Sequence, residues 1–303
     1  MLTKNQRHLC SLEKINMKYI DIHSHVNFVA FDADRAEVMK RAEDSGTIVI
    51  NVGTQIDTAK KAVEMTEQFE NCYAIIGLHP IHTGASFHDT KELGEEAGKG
   101  FTSRGEVFDK DAYRELLKNP KVVGIGECGL DYYRLDEDSI QKQREAFISQ
   151  IELANEFNKP LMLHIRANPA DSSKNPYMDA LEILKEHAKV KGDVHFFAGG
   201  LEEAKAYLDF GFTLSFTGAI TYPPKKDGSG CDYVKIIQGM PLDMIMTETD
   251  SPYVSPVPYR GKRNEPVFVS EVVKKIAEIK GLPEQEVASQ ILENAKRVFG
   301  ILL

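Results

Sequence analysis

Six side chains able to bind a metal through nitrogen or oxygen recur at one kind of place in this chain, at or just past the end of a short apolar run. They are His23 and His25 in YIDIHSH, Glu127 in VVGIGECGLD, His164 in PLMLHIR, His195 in VHFFAGG and Asp250 in MIMTETDSPY. Four imidazoles and two carboxylates form a mixed nitrogen and oxygen set suited to one or two divalent cations. The chemistry such a set supports is hydrolysis, because a bound divalent cation polarises an ester oxygen and lowers the pKa of water. Asp250 lies where its run breaks at Ser251 and Pro252, a place from which it can hold a water and act as general base.

Taken singly, each signal is weak. An HxH pair arises often by chance, and a histidine ending an apolar run is more often a core residue than a ligand. A glycine-flanked acid such as Glu127 has little reason to be buried unless a cation or an arginine pairs with it. The shared position of all six turns the reading toward a metal-dependent hydrolase. Around them, His79 in GLHP reads as a substrate or leaving-group contact. Arg166, two residues past His164, and Arg260 and Arg263 in RGKRNEP read as phosphate-binding groups. Asp21 and Glu248 are weaker candidates for the same site, and Asp131 reads as a cap or loop residue.

The apolar runs alternate with amphipathic segments. Strands are expected at residues 19–23, 47–52, 73–77, 122–127, 161–164, 194–197, 213–216 and 244–247, with helices clearest at 57–70 and 139–157. Residues 266–279 and 283–299 read as two closing helices. Each run is rich in Val, Ile, Leu and Met, as strands buried on both faces are. No strand is followed by a glycine-rich nucleotide fingerprint, so a (β/α)8 TIM-like barrel fits better than an open doubly wound sheet. In such a barrel the carboxyl ends of the strands surround one pocket, where ligands scattered over two hundred positions converge.

The chain has 303 residues, 42% of them hydrophobic and 27% charged, which suits one α/β barrel. Residues 1–17 read as a polar tail and 18–303 as a single hydrolase domain. Two loops, 82–107 and 221–232, break the rhythm on the side where substrate would enter. The four cysteines are far apart, form no CxxC pair and fit a reducing, cytoplasmic setting. No apolar stretch approaches the ~20 residues needed to span a bilayer. A net charge of −9 argues against a non-specific nucleic-acid coat, but not against an enzyme that grips a few phosphates locally.

From Tyr19 to the C-terminus the chain resembles the TatD family of metal-dependent deoxyribonucleases, a branch of the amidohydrolase-like barrels. The motifs that carry the resemblance are IDIHSH, GLHP, GIGECGLDYY, LHIR, HFFAGG, TETDSPY, RGKRNEP and NAKRVFG. The resemblance implies two divalent ions (Mg, Mn or Zn), with His23, His25 and Asp250 on one, His164 and His195 on the other, and Glu127 bridging. It implies that a hydroxide held between the ions attacks the phosphodiester of DNA in line, working from the 3′ end of a single strand, with RNA a further substrate. The other reaction open to the same ligands is amidohydrolase-like cleavage of an ester or amide, such as an aminoacyl ester on tRNA. The chain departs from the family pattern at HFFAGG, where Phe197 and Ala198 replace the usual HCFSG, and after GLHP, where Ile81 precedes His82. The 82–107 loop is also longer than usual, and these departures bear on substrate preference rather than on the six ligands.

Overall fold

A computed structural model describes residues 18–84, 86–88, 101–103, 105–133, 139–171, 173–224 and 230–301. The expected polar tail, much of the 82–107 loop and part of the 221–232 loop lie outside the described residues. Strands β1 (Tyr19–Ser24), β2 (Thr47–Val52) and β3 (Cys72–Ile76) pair in parallel. Two short strands, β4 (Ser86–His88) and β5 (Phe101–Ser103), form a separate antiparallel pair inside the 82–107 stretch. The main sheet resumes with β6 (Val122–Asp131), β7 (Leu161–Arg166), β8 (Gly192–His195), β9 (Thr213–Phe216) and β10 (Ile245–Thr247). Its eight strands stand side by side in chain order.

Helices alternate with them: α1 (Arg35–Asp44), α2 (Ile56–Gln68), α3 (Lys110–Leu116), α4 (Ser139–Phe157), α5 (Pro176–His187), α6 (Leu201–Phe210), α7 (Tyr233–Gly239), α8 (Val269–Lys280) and α9 (Glu284–Phe299). Helix α4 buries Phe147, Ile151 and Ala154 at helical spacing. The closing pair α8 and α9 ends at Gly281 and Gly300, both in the left-handed conformation that a residue with a side chain resists. The eight strands form a nearly closed barrel with alternating helices. The end of β10 and the segment just past it draw the barrel shut against β1: Thr247 Oγ1 donates to Ile20 O, Asp250 N to His23 O, and His25 N to Ser251 O. Closure therefore runs through the motif residues themselves. Among the described residues no helix is long and apolar enough to cross a membrane.

Two strands run further than their apolar patterns suggest. Strand β6 continues to Asp131 and β7 to Arg166, because β6 carries a bulge rather than an end at Glu127. Gly126 pairs with Met162 and Cys128 with Leu163, leaving Glu127 as the extra residue. Gly126 and Gly129 have φ of 145° and 142°, and a Cβ at either would collide with the backbone oxygen of Met162 or His164. Strand β8 ends earlier than expected, at His195, because Phe196 turns out of the sheet with φ 44°.

Candidate metal centre

The bulge aims Glu127 into the mouth of the barrel, where its carboxylate is 3% exposed. Oε2 lies 3.3 Å from His23 Nε2 and 3.8 Å from His25 Nε2. Oε1 lies 2.8 Å from His164 Nδ1, 3.4 Å from His195 Nε2 and 3.3 Å from His79 Nε2. The two oxygens of one carboxylate thus face different sets of histidines. Asp250 completes the first set, with Oδ1 3.4 Å from His25 Nε2 and 4.0 Å from His23 Nε2. The sequence places all six expected ligands at strand ends, and the fold brings all six together.

What each imidazole does with its far nitrogen decides which atom faces the centre. His25 Nδ1 is 2.9 Å from Val52 O and so donates, leaving the lone pair on Nε2. His164 Nε2 is 3.1 Å from Asp131 Oδ2, which leaves Nδ1 pointing at Glu127. His195 Nδ1 is 3.1 Å from Glu248 Oε1, close but off the line of a hydrogen bond, and Nε2 points inward. His23 is the exception, since among the described residues its buried Nδ1 has no hydrogen-bond partner. Its ring is instead stacked on His195 at 3.6 Å.

His79 differs from these. Its Nδ1 accepts the Ile81 N–H at 3.1 Å, so in the neutral ring Nε2 carries the proton. Burial, then the nearby charge of His164, hold it below the ordinary imidazole range and keep it neutral. Although His79, Glu127 and His164 bring ligand atoms as close together as the other groups do, a ring in this tautomer offers the centre a donor, not a lone pair.

Behind the ligands stands a layer of buried acids that sequence reasoning underrated. Asp131 bonds His164 through one oxygen and the Tyr133 N–H through the other, at 2.8 Å. Its signal was its place four residues past Glu127 in a strand, which brings it beside β7. Glu248 accepts from the Phe196 N–H at 2.7 Å and touches Ser215 Oγ at 2.9 Å, and Ser215 Oγ is 2.6 Å from Asp193. Asp21 is bound by Thr249 N and Oγ1 at 2.8 and 2.5 Å, tying β1 to the segment that carries Asp250. Asp250 itself adopts φ 55°, a costly conformation for a residue other than glycine. Asn264 braces that turn by donating to Thr249 O and Tyr253 O.

The arginines divide. Arg263 is committed elsewhere: its guanidinium donates to Ala30 O and to both oxygens of Asp34, at 2.9, 2.8 and 2.6 Å. A phosphate would have to displace an ion pair to reach it, which corrects the reading of Arg263 as a substrate contact. Arg166 and Arg260 are exposed, and each lies over a tyrosine ring, Tyr133 at 4.0 Å and Tyr222 at 4.4 Å.

Without a cation the centre balances its own charge. Burial opposes ionisation of Glu127, but the imidazoles of His79, His23 and His195 around it and the bond from His164 outweigh it and hold the carboxyl well below its usual range. For His195, burial again opposes the charge, and Glu248 and Glu127 overcome it and push the imidazole up to about 10. His25 and His164 are raised in the same way, against burial, by Asp250 with Glu127 and by Asp131 with Glu127. His23, crowded by burial and by His195, falls to about 4. A divalent cation fits this arrangement, since it would take the place of the imidazolium protons between the same nitrogens and the same carboxylates. Ligand atoms of His23, His25 and Asp250, and of His23, Glu127 and His195, already lie within 4.8 Å of one another.

Comparison with known proteins agrees with this geometry. A family model described as TatD related DNase matches residues 20–300. The chain is 36% identical over 284 residues, 93% of its length and 98% of the relative's, to the uncharacterized metal-dependent hydrolase YabD of Bacillus subtilis. It is 30% identical, over 92% of its length and 98% of the relative's, to the 3′-5′ ssDNA/RNA exonuclease TatD of Pantoea vagans. Among solved structures, the TatD homologue YJJV of Escherichia coli superposes with a TM-score of 0.76, at 24% identity, covering 94% of this chain and 99% of that one.

Proposed function

This chain belongs to the TatD-related DNase family of metal-dependent hydrolases, and from that premise we propose that it is a deoxyribonuclease that trims single-stranded DNA from the 3′ end, and RNA as well. The observation that supports this reading most is the division of Glu127, one oxygen toward His23 and His25 and the other toward His164 and His195. A carboxylate so placed can bridge two cations, the first held also by His23, His25 and Asp250. Two Mg²⁺, Mn²⁺ or Zn²⁺ ions bound there would polarise a phosphoryl oxygen and lower the pKa of the attacking water.

The chain's own residues supply the rest. Asp250, at the open side and 9% exposed, accepts the water's proton. Its carboxyl is held below the usual range, because the bond from His25 and the charges of His195 and His23 outweigh its burial, so it is ionised at neutral pH. His79, whose Nε2–H faces Glu127 Oε1 at 3.3 Å, offers the substrate's phosphoryl or leaving oxygen a donor beside the bridging position. Arg166 and Arg260 contact the flanking phosphates. Residues 18–303 act as one unit, and the absence of any CxxC pair suits a cytoplasmic enzyme.

The test is metal analysis of the purified protein together with turnover of single-stranded DNA, duplex DNA, RNA and a carbonyl ester in Mn²⁺. Two ions per chain and faster loss of the single strand are expected. Turnover of the ester with none of the nucleic acids would overturn the reading and favour the amidohydrolase reaction.

A further inference from the structure

Of the eight large apolar side chains that the described residues leave exposed, Val29, Ile81, Val107, Tyr133 and Val257 lie between a strand and the next helix, and Met178, Leu201 and Val234 lie in the first turns of α5, α6 and α7. None lies on the opposite face of the barrel. These exposed apolar side chains thus stand on the side of the barrel that carries the metal centre. On the same rim stand the two arginine–tyrosine pairs. Arg166 over Tyr133 caps the ends of β7 and β6, and Arg260 over Tyr222 caps those of β10 and β9. One strand, β8, with His195 at its end, lies between the two pairs.

Each pair is anchored to the centre. Asp131 holds Tyr133 N with one oxygen and His164 with the other. The Tyr222 hydroxyl donates to Ser255 O at 2.8 Å, and Thr221 Oγ1 accepts the Val257 N–H at 2.9 Å, binding the β9 loop to the one that carries Asp250 and Arg260. Arg35, Arg41, Arg114 and Arg263 all sit on carboxylates. Arg166 and Arg260 instead present a guanidinium over a ring, and neither forms an ion pair among the described residues. Such a pair offers a flat face and a cation together, the two features that a nucleotide with an unstacked base and a phosphate would meet.

We infer that Tyr133–Arg166 and Tyr222–Arg260 are two nucleotide clamps that take successive parts of a single-stranded nucleic acid, bases against the rings and phosphates on the guanidinium groups, with the cleaved linkage held between them. The inference rests on the nuclease reading above and adds which residues select single strands: a duplex keeps its bases stacked inward and cannot offer them to either ring.

The experiment compares a short fluorescent oligo-dT carrying phosphorothioate linkages, which resist cleavage, with the same backbone lacking bases. Binding to the metal-loaded protein is read by anisotropy over a range of salt. The abasic probe should bind roughly ten-fold or more weakly, as loss of base stacking requires. Tyr133→Leu and Tyr222→Leu should each weaken oligo-dT by a similar factor and leave the abasic probe unaffected, while Tyr133→Phe keeps the native affinity. Arg166→Gln should lower the salt slope by about one for both probes. Equal binding of the two probes by the unaltered protein would overturn the clamps, whatever the variants do, and so would leucine variants with native affinity for oligo-dT. If DNA is degraded while the probes bind alike, the clamps alone fall. If neither probe binds and no phosphodiester is cleaved, the nuclease reading falls with them.

Discussion

Glu248 is the most informative residue to change, because the structure separates what its shape does from what its charge does. It is fully buried, accepts the Phe196 N–H, touches Ser215 Oγ and stands 3.1 Å behind His195 Nδ1. Glu248→Gln keeps an oxygen for Phe196 and offers an amide N–H to Ser215, which can pass its own proton to Asp193. Every hydrogen bond is then made, and the melting temperature should move little. The negative charge behind His195 is lost, and with it the push that lifts this imidazole to about 10. Removing such an outer partner of a ligating histidine costs ~10–100-fold in metal affinity, or about 1.4–2.7 kcal/mol.

Glu248→Ala should do more. It leaves the Phe196 N–H unpaired and Ser215 half-paired in a dry interior, at ~1–3 kcal/mol for each group. Phe196 also keeps its unfavourable φ of 44° with nothing to hold it. A total of roughly 2–6 kcal/mol corresponds to a fall of roughly 4–24 °C in Tm, on the ~2–4 °C per kcal/mol seen for somewhat smaller chains. Thermal melts of metal-free protein and Mn²⁺ titrations against a chelator of known affinity would read the two effects separately. Native metal affinity in Glu248→Gln would refute the charge argument. A glutamine variant as unstable as the alanine one would refute the hydrogen-bond argument.

Three further outcomes follow from the same geometry. Glu127→Ala should lose metal and activity together, and a variant with full metal content and near-native turnover would sink the bridging role. Asp250→Asn should bind metal moderately less well and turn over ~10²–10⁴-fold more slowly even at saturating metal; recovery of the native rate at high Mn²⁺ would make Asp250 a ligand only. His195 is raised to about 10 in the metal-free protein, so at pH 7 it carries a proton that a cation must displace. Calorimetry in buffers of different ionisation enthalpy should therefore show proton release on binding and tighter binding as pH rises. The raised His195 stabilises the metal-free fold fully below about 6.5, the unfolded value, and this stability is lost as pH climbs through about 10. A metal-free Tm that rises over that range would contradict the sign.

Much of the barrel and the convergence of the six candidate ligands were legible because both rest on local pattern. Runs such as TIVINV and LMLHIR mark buried strands by composition alone, and a parallel barrel brings whatever ends them to one face. The supporting residues were not legible, because their roles depend on register between distant segments. Asp131 looks like a loop residue until the bulge at Glu127 shows that β6 continues and sets Asp131 beside Arg166. RGKRNEP was read for its positive charge, yet Arg263 reaches 229 positions back to Asp34, and Asn264 braces the turn at Asp250. Neither partner can be inferred from residue type or spacing. A glycine-flanked acid such as Glu127 did carry its own signal, since the glycines are what let its strand bulge.

The self-balanced charge of the centre bears on how folding and metal binding are related. A buried carboxylate that needed a cation to be tolerated would make the metal part of the fold, as in small zinc domains that unfold without it. Here Glu127 faces His164, His195, His23 and His25 within 3.8 Å, and Asp250 faces His25. His195, raised to about 10, can act as a cation among them, and His25 and His164 are raised in the same direction. Exchange of these protons for a divalent ion replaces one set of positive partners with another and leaves the acids neutralised throughout. The barrel, with its own core and its closure through Asp21, Thr249 and Ser251, is therefore expected to stay folded in thermal melts of chelator-treated protein. The ion then adds reactivity to a pocket already in place, and metal removal should abolish turnover long before it unfolds the chain.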